Sequence, residues 1–302
     1  MRYVSKKNIR IKEVGPRDGL QNEKEIISTA QKIQWIDLLS NTGLDYIEIT
    51  SFVPRKWIPQ LSDAIEVARG ITRKAGVTYA ALVPNLRGLE SALETGVDEI
   101  SLFMSASETH NLKNINKSID ETFPIMKDVA VSSLQAGKTV RAYVSTVFGC
   151  PYDGEVSVDA VRRICEHLFS FGVTEISLGD TIGAANPVKV EAVLKELLQY
   201  FDKDRIALHF HDTRGLALAN ILRATDMGIT TFDASLGGLG GCPYAPGASG
   251  NVATDDLVHM LERMGYSTGI DEDLLQTAAV FIQNRIRKPL RSHQMAIYNT
   301  VK

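Results

Sequence analysis

Thr42-Gly43-Leu44-Asp45-Tyr46-Ile47-Glu48-Ile49 returns twice along the chain, as Thr95-Gly96-Val97-Asp98-Glu99-Ile100-Ser101-Leu102 and as Phe171-Gly172-Val173-Thr174-Glu175-Ile176-Ser177-Leu178. Each copy reads as a helix end, a tight turn and the start of a strand. The glycine falls just past the last helical position, where a left-handed backbone carries no penalty for a residue without a Cβ. Gly76, Gly137, Gly228 and Gly265 punctuate helical patterns in the same way. Working outward from these units, strand-like runs occur at Ile9–Val14, Tyr46–Thr50, Tyr79–Val83, Glu99–Met104, Thr139–Thr146, Glu175–Leu178, Ile206–His211 and Thr231–Ser235. Amphipathic segments lie between them. Ile33, Ile36 and Leu39 keep helical spacing within 30–39, as do Val161, Ile164, Cys165, Leu168 and Phe171 within 158–171.

About eight such units predict a single α/β domain, a TIM (β/α)8 barrel over residues 1–302. The barrel core spans about 8–265. An additional helix and a basic tail fill 271–302. A doubly wound open sheet is the rival architecture, but no G-x-G-x-x-G follows the first strand. No low-complexity or Pro/Ser-rich stretch divides the chain.

The composition is that of an ordinary globular protein, 44% hydrophobic and 23% charged. A net charge of −3 gives no reason to expect a nucleic-acid partner. The longest apolar runs, such as Ile206-Ala207-Leu208, are far too short to span a bilayer, so no membrane partner is expected. The basic start Met1-Arg2-Tyr3-Val4-Ser5-Lys6-Lys7 has no apolar signal core, and the chain ends Val301-Lys302 rather than in a Ser-Lys-Leu address. Three cysteines, Cys150, Cys165 and Cys242, form no C-x-x-C pair and leave an odd thiol. These features predict a cytoplasmic protein.

In a TIM barrel the chemistry sits at the C-terminal ends of the strands, and the residues that most need explaining fall there. His209 and His211 are two apart on a strand and so share a face. Facing the barrel mouth, they make half of a metal site; the same pattern also fits two histidines at the edge of the core, satisfied by hydrogen bonds. Asp18 follows the first strand, which adjoins the eighth in a closed barrel, and Asn251 lies beyond the eighth. Both can reach a cation held by strand seven, or they serve as an Asx turn and as a turn or helix cap. Two nitrogens with carboxylate and amide oxygens suit Mg²⁺ or Mn²⁺. Arg17 offers a planar fork for a carboxylate or enolate oxygen, or an ion pair with Glu48 or Glu13. Glu48 alternates with Ile47 and Ile49, so an inward carboxylate needs a partner, and Arg17 is the obvious one. Cys242 follows a glycine-rich loop and can donate a proton, although a lone cysteine is commonly an apolar filler. Cys165, at an apolar mid-helix position, should be such a filler.

Val14-Gly15-Pro16-Arg17-Asp18-Gly19-Leu20-Gln21-Asn22-Glu23-Lys24 resembles the opening signature of the 3-hydroxy-3-methylglutaryl-CoA lyases, within the DRE-TIM metallolyases. The Asp, Arg and Glu of that superfamily name correspond to Asp18, Arg17 and Glu48. Further matches are Ser51-Phe52-Val53, Leu178-Gly179-Asp180-Thr181-Ile182-Gly183 and His209-Phe210-His211-Asp212-Thr213, with the lyase-specific run from Gly237 to Asn251. The resemblance covers nearly the whole chain. It implies a divalent cation on Asp18, His209, His211 and Asn251, a substrate- and enolate-binding Arg17, a supporting Glu48, an acid–base Cys242 and a pocket-lining Asp180, with His209 also a candidate base. It implies cleavage of an acyl-CoA to acetyl-CoA and acetoacetate, as in leucine breakdown, with a homodimer as the expected assembly. Arg214 stands where relatives commonly carry an aromatic residue, and Asp255 where Glu is familiar. The alternatives are a condensing synthase of the isopropylmalate or citramalate type and a catalytically silent metal-binding barrel. The basic run Arg285, Arg287, Lys288 and Arg291 fits either the CoA phosphates or plain solvated surface.

Overall fold

The computed structural model describes residues 8–54, 56–241 and 250–301. The order of elements is β1 (Arg10–Glu13), α1 (Thr29–Ser40), β2 (Tyr46–Ser51), α2 (Ala64–Gly70), β3 (Thr78–Leu82), α3 (Leu86–Leu93), β4 (Glu99–Ser105), α4 (Glu108–Ile115), α5 (Ile119–Gln135), β5 (Thr139–Ser145), α6 (Val158–Ser170), β6 (Glu175–Asp180), α7 (Pro187–Leu197), β7 (Ile206–Phe210), α8 (Ala217–Asp226), β8 (Thr231–Ala234), α9 (Thr254–Arg263), α10 (Glu272–Ile286) and α11 (His293–Val301). The strands form one closed parallel barrel in sequence order, with β1 and β8 sealing the seam from Arg10↔Thr231 to Glu13↔Ala234. All eight expected runs become strands, and the fold is the expected TIM barrel.

The glycine units behave as their chemistry requires. Gly43, Gly96 and Gly172 have φ of +97°, +74° and +91°. Gly43 also has no room for a side chain: a Cβ there would meet the Gly269 carbonyl oxygen at 2.1 Å. Next to it, Asp271 N–H donates to the Thr42 carbonyl at 2.7 Å, so the turn after α1 is stitched to the chain that opens α10. The helices bury most of the predicted stripes, with Ile33 and Phe171 only half-buried against the core and Trp35 joining the buried set. Trp35, Ile36 and Leu39 of α1, and Val161, Ile164, Cys165 and Leu168 of α6, are all buried against the barrel. Each of these helices opens on a serine cap, Ser28 accepting from Gln31 N–H and Ser157 from Ala160 N–H. Burial pushes the Cys165 thiol up to about 12, the behaviour of an inert core residue.

Inside the barrel the period-two alternation lays down two tiers. The lower tier is ionic. Lys12 of β1 reaches across to Glu175 of β6 at 2.7 Å and lies 4.2 Å from the Tyr46 ring centroid, while Arg141 of β5 donates to Glu175 and to Asp233 of β8, each at 2.6 Å. Glu48, Tyr143 and His209 stand two residues further along β2, β5 and β7 and form the upper tier, at the mouth.

The C-terminal region departs from the expected helix and basic tail. α10 is the expected helix, but a second one, α11, follows it. Its N-cap is Ser292, whose hydroxyl accepts from Met295 N–H at 3.3 Å, and Asp256 of α9 adds support by accepting the N–H groups of His293 and Gln294, both at 2.9 Å.

Gly43→Ala should destabilise the chain by clearly more than the ~1 kcal/mol that positive φ alone costs an alanine. Gly76→Ala, at φ +86° with open space around its Cβ, should cost only that ~1 kcal/mol. Equal losses in thermal unfolding would show that the approach of Gly269 is not what demands glycine at 43.

Candidate metal centre

The chain leaving β1 folds into a widened turn over Gly15–Gly19, in which the N–H groups of Arg17, Asp18 and Gly19 all point at the Val14 carbonyl. Glu13 holds this turn from below. Its carboxylate accepts from Gly15 N–H at 2.7 Å, Leu236 N–H at 3.0 Å and the Thr254 hydroxyl at 2.7 Å, and burial raises its pKa to about 7. Glu13 is therefore occupied with the backbone, and Arg17 pairs with Glu48 instead. Arg17 Nε donates to Glu48 Oε2 at 2.5 Å and Nη1 to Asp18 Oδ1 at 2.5 Å. The Tyr143 hydroxyl donates to the same Glu48 oxygen at 3.0 Å, and the guanidinium lies 5.1 Å from the Tyr143 ring centroid. Burial opposes the Arg17 charge, but Glu48 and Asp18 outweigh it and raise its pKa further.

Asp18, His209 and His211 each present a ligand atom within 4.8 Å of the others. Asn251 joins them through Nδ2, which donates to Asp18 Oδ2 at 2.7 Å and to the Leu239 carbonyl at 3.1 Å. Its position is set by backbone pairing: the 250–252 segment runs antiparallel to the end of β7, with Asp212 N–H to Gly250 O at 2.7 Å and Val252 N–H to Phe210 O at 3.0 Å. The four residues expected around one cation thus lie together, drawn from β1, β7 and the chain beyond β8. The site also carries buried polar atoms with nothing to bond. Asn251 Oδ1 and His211 Nδ1 have no hydrogen-bond partner among the described residues, and a buried acceptor left so is costly. Burial, then the neighbouring charge of His209, lowers the His211 pKa to about 3, so this imidazole is neutral and free to ligate at any physiological pH. Asp18 stays anionic: burial would raise its pKa, but Arg17, His209 and His211 together lower it. One carboxylate, two imidazoles and an amide oxygen suit a divalent cation.

Asp18, His209 and His211 open onto a cavity of about 610 Å³ lined also by Arg17, Trp57, Phe103, Lys117 and Met126. Asp180 is not on its wall, although its neighbours Gly179 and Thr181 are. Its carboxylate is fully buried and accepts the N–H groups of Ala184 and Ala185 at 2.8 and 2.9 Å, which fixes the loop after β6. Cys242 lies outside the described residues. Of the basic run, Lys288 pairs with Glu23 at 2.5 Å, and none of its four members lines the cavity. Arg214 donates to the Ile182 and Gly183 carbonyls, and Asp255 accepts from Gly237 N–H at 3.0 Å and from the Ser292 hydroxyl. Two residues of the site escaped the sequence reading. Tyr143 and Asp233 are inward polar groups on β5 and β8, alternating with apolar neighbours as Glu48 does.

Three comparisons with known proteins bear on this arrangement. The HMGL-like family profile matches residues 8–282. The hydroxymethylglutaryl-CoA lyase of Bacillus subtilis is 60% identical over 97% of this chain and 98% of its own, and its crystal structure superimposes with a TM-score of 0.96. The mitochondrial hydroxymethylglutaryl-CoA lyase of Homo sapiens is 47% identical over 95% of this chain and 88% of its own. A structure of an HMG-CoA lyase from Acinetobacter baumannii in complex with coenzyme A and 3-methylmalate is 42% identical, with a TM-score of 0.90 over 95% of this chain and 93% of that one.

Mn²⁺ should raise the melting temperature of the chain by mass action, about 2.7 kcal/mol of added stability when the ion stands at 100 times its Kd. His211→Ala should lose most of that shift while unfolding, metal-free, near the wild-type temperature. An undiminished shift in the variant would place the cation elsewhere.

Proposed function

Because this chain belongs to the HMGL-like family, we propose that it is a divalent-metal-dependent carbon–carbon lyase that cleaves (S)-3-hydroxy-3-methylglutaryl-CoA to acetyl-CoA and acetoacetate. The observation that carries the reading is the cluster of Asp18, His209 and His211 within 4.8 Å, set against the buried Arg17–Glu48 pair at one wall of a cavity. Mg²⁺ or Mn²⁺ is the ion we assign, a homodimer the assembly and the cytoplasm the compartment. A species of about 33 kDa in ultracentrifugation would remove the dimer, and membrane or organelle fractionation of the native protein would remove the compartment.

Asp18, His209, His211 and Asn251 would hold a divalent cation, which would supply the Lewis acidity that lowers the pKa of the C3 hydroxyl. Asp18 and His209 are the candidate bases for that proton. Its loss turns the C3–O bond into a ketone as the C2–C3 bond breaks and its electron pair passes to the thioester. Arg17 stabilises the negative charge that develops on the thioester oxygen. Its fork is fixed before the reaction by Glu48 and Asp18, so no reorganisation is needed as the charge forms. Glu48 and Tyr143 keep the guanidinium in register. Asp180 contributes indirectly, by holding the loop that carries Thr181 to the cavity. Cys242, assigned from the sequence, returns a proton to C2 of the enolate, directly or through His209.

Acetoacetate release from the acyl-CoA by the purified chain tests the reading. Release should be lost with chelator and regained with Mg²⁺ or Mn²⁺. No release with either ion, together with condensation of acetyl-CoA and a 2-oxo acid, would make the chain a synthase; binding of the ion with neither reaction would make it a scaffold. Arg17→Lys should lower kcat/KM by about 10²–10³, since an ammonium cannot replace the fork. Cys242→Ser should lower kcat by ~10²–10⁴ and leave ion affinity intact. Near-normal turnover in either variant removes that residue from its role.

A further inference from the structure

Asp233 sits on β8 in register with His209 of β7 and Lys12 of β1. Its carboxylate is fully buried, and three groups converge on it. Arg141 Nη2 donates to Oδ1 at 2.6 Å, the Ser177 hydroxyl donates to Oδ2 at 2.6 Å, and His209 Nδ1 lies 3.3 Å from Oδ2. That last separation is long for an N–H···O bond. His209 Nδ1 makes no hydrogen bond of ordinary geometry among the described residues, so the carboxylate oxygen 3.3 Å away is the acceptor set beside it, and Ser177 has already used its only hydrogen. His209 Nε2 is thereby left on the other side, 4.0 Å from Asp18 Oδ2.

We propose that Asp233 is the positioning residue of this centre: it holds His209 as the Nδ1–H tautomer, so that Nε2 presents its lone pair to the cation or to the substrate proton. The proposal rests on the metal-dependent reading above and adds a residue that it leaves unassigned. A carboxylate behind a ligating histidine sets both the tautomer and the angle of the ring. Asp233 is a fixed anion. Burial alone would raise its pKa, but Arg141, with His209 and Ser177, holds it well below the usual carboxylate range. Arg141 is itself pinned by Glu175, and Glu175 by Lys12, so the carboxylate cannot rotate away without breaking buried pairs. The ionic lower tier is thus connected to the site through one side chain.

Asp233→Asn is the discriminating change. Its amide oxygen can still accept from Arg141 while its NH₂ faces His209, which then has to accept at Nδ1. In metal-free protein with nitrogen-15-labelled histidine, at alkaline pH where imidazoles are neutral, the wild-type His209 signals should be those of the Nδ1–H tautomer. They are assigned by their loss in His209→Ala. In Asp233→Asn the Nε2–H tautomer should dominate, and Mn²⁺ affinity by calorimetry should fall by about 10–100-fold. Gly43→Ala, destabilised far from the site, should keep wild-type affinity, which separates positioning from loss of stability. An Nε2–H tautomer in the wild type overturns the proposal, and that spectrum decides alone if Asp233→Asn does not fold. An affinity in the folded variant within about twofold of wild type also overturns it. A wild-type chain that binds no cation defeats the metal-dependent reading, while the tautomer still decides the place of Asp233.

Discussion

Lys12 lies beside Asp233 because β1 pairs with β8, and on this seam the site depends. Asp18 leaves the end of β1 and Asn251 follows β8, 233 residues later, yet their side chains meet at 2.7 Å. Neither element would know of the other in an open sheet. Glu13 spans the same seam, binding the turn that carries Arg17 and Asp18 to Leu236 and Thr254 on the far side. Closing the barrel is therefore the event that assembles the centre, and the turn and segment that carry Asp18 and Asn251 are tied to the strand ends by backbone hydrogen bonds.

Below the mouth, most barrels fill the interior with branched aliphatic side chains. This one uses Lys12, Glu175, Arg141 and Asp233, with Tyr46 as a flat wall. Charges out of water are tolerable only when opposite charges and hydrogen bonds replace the lost solvation. Each of these groups has an oppositely charged neighbour at 2.6 or 2.7 Å. The result is stiff. Arg17 and His209 above are oriented by Glu48 and Asp233, which are themselves held by Tyr143 and Arg141.

The fold was legible because it is repetitive. Gly43, Gly96 and Gly172 announce three copies of one αβ unit, and the remaining strands follow from β-rich runs between helical stripes. The site was partly legible for a different reason. His209 and His211 share a face by period two, and Arg17, Asp18 and Asn251 are polar residues at strand ends. What stayed hidden depends on neighbours that sequence does not display. Asp233 is a single acid in Thr231-Phe232-Asp233-Ala234, and only the register places His209 beside it. Asp180 reads from the sequence as a pocket residue, and the bonds its oxygens accept from Ala184 and Ala185 N–H are not legible there. The Asp256 carboxylate that supports the first turn of α11, in addition to its own Ser292 cap, belongs to another helix.

The charged interior also constrains how this sequence can change. Replacing Arg141 by a neutral residue takes from the buried Asp233 its cationic partner, a loss of about 3–5 kcal/mol. The entire stability of a typical domain is about 5–15 kcal/mol. Single substitutions are therefore costliest at Arg141, which pairs with both Glu175 and Asp233. Lineages that alter this floor must do so by compensated double replacement, so these positions should vary as couples or stay fixed, while the aliphatic shell between barrel and helices remains free to exchange one methyl-bearing residue for another.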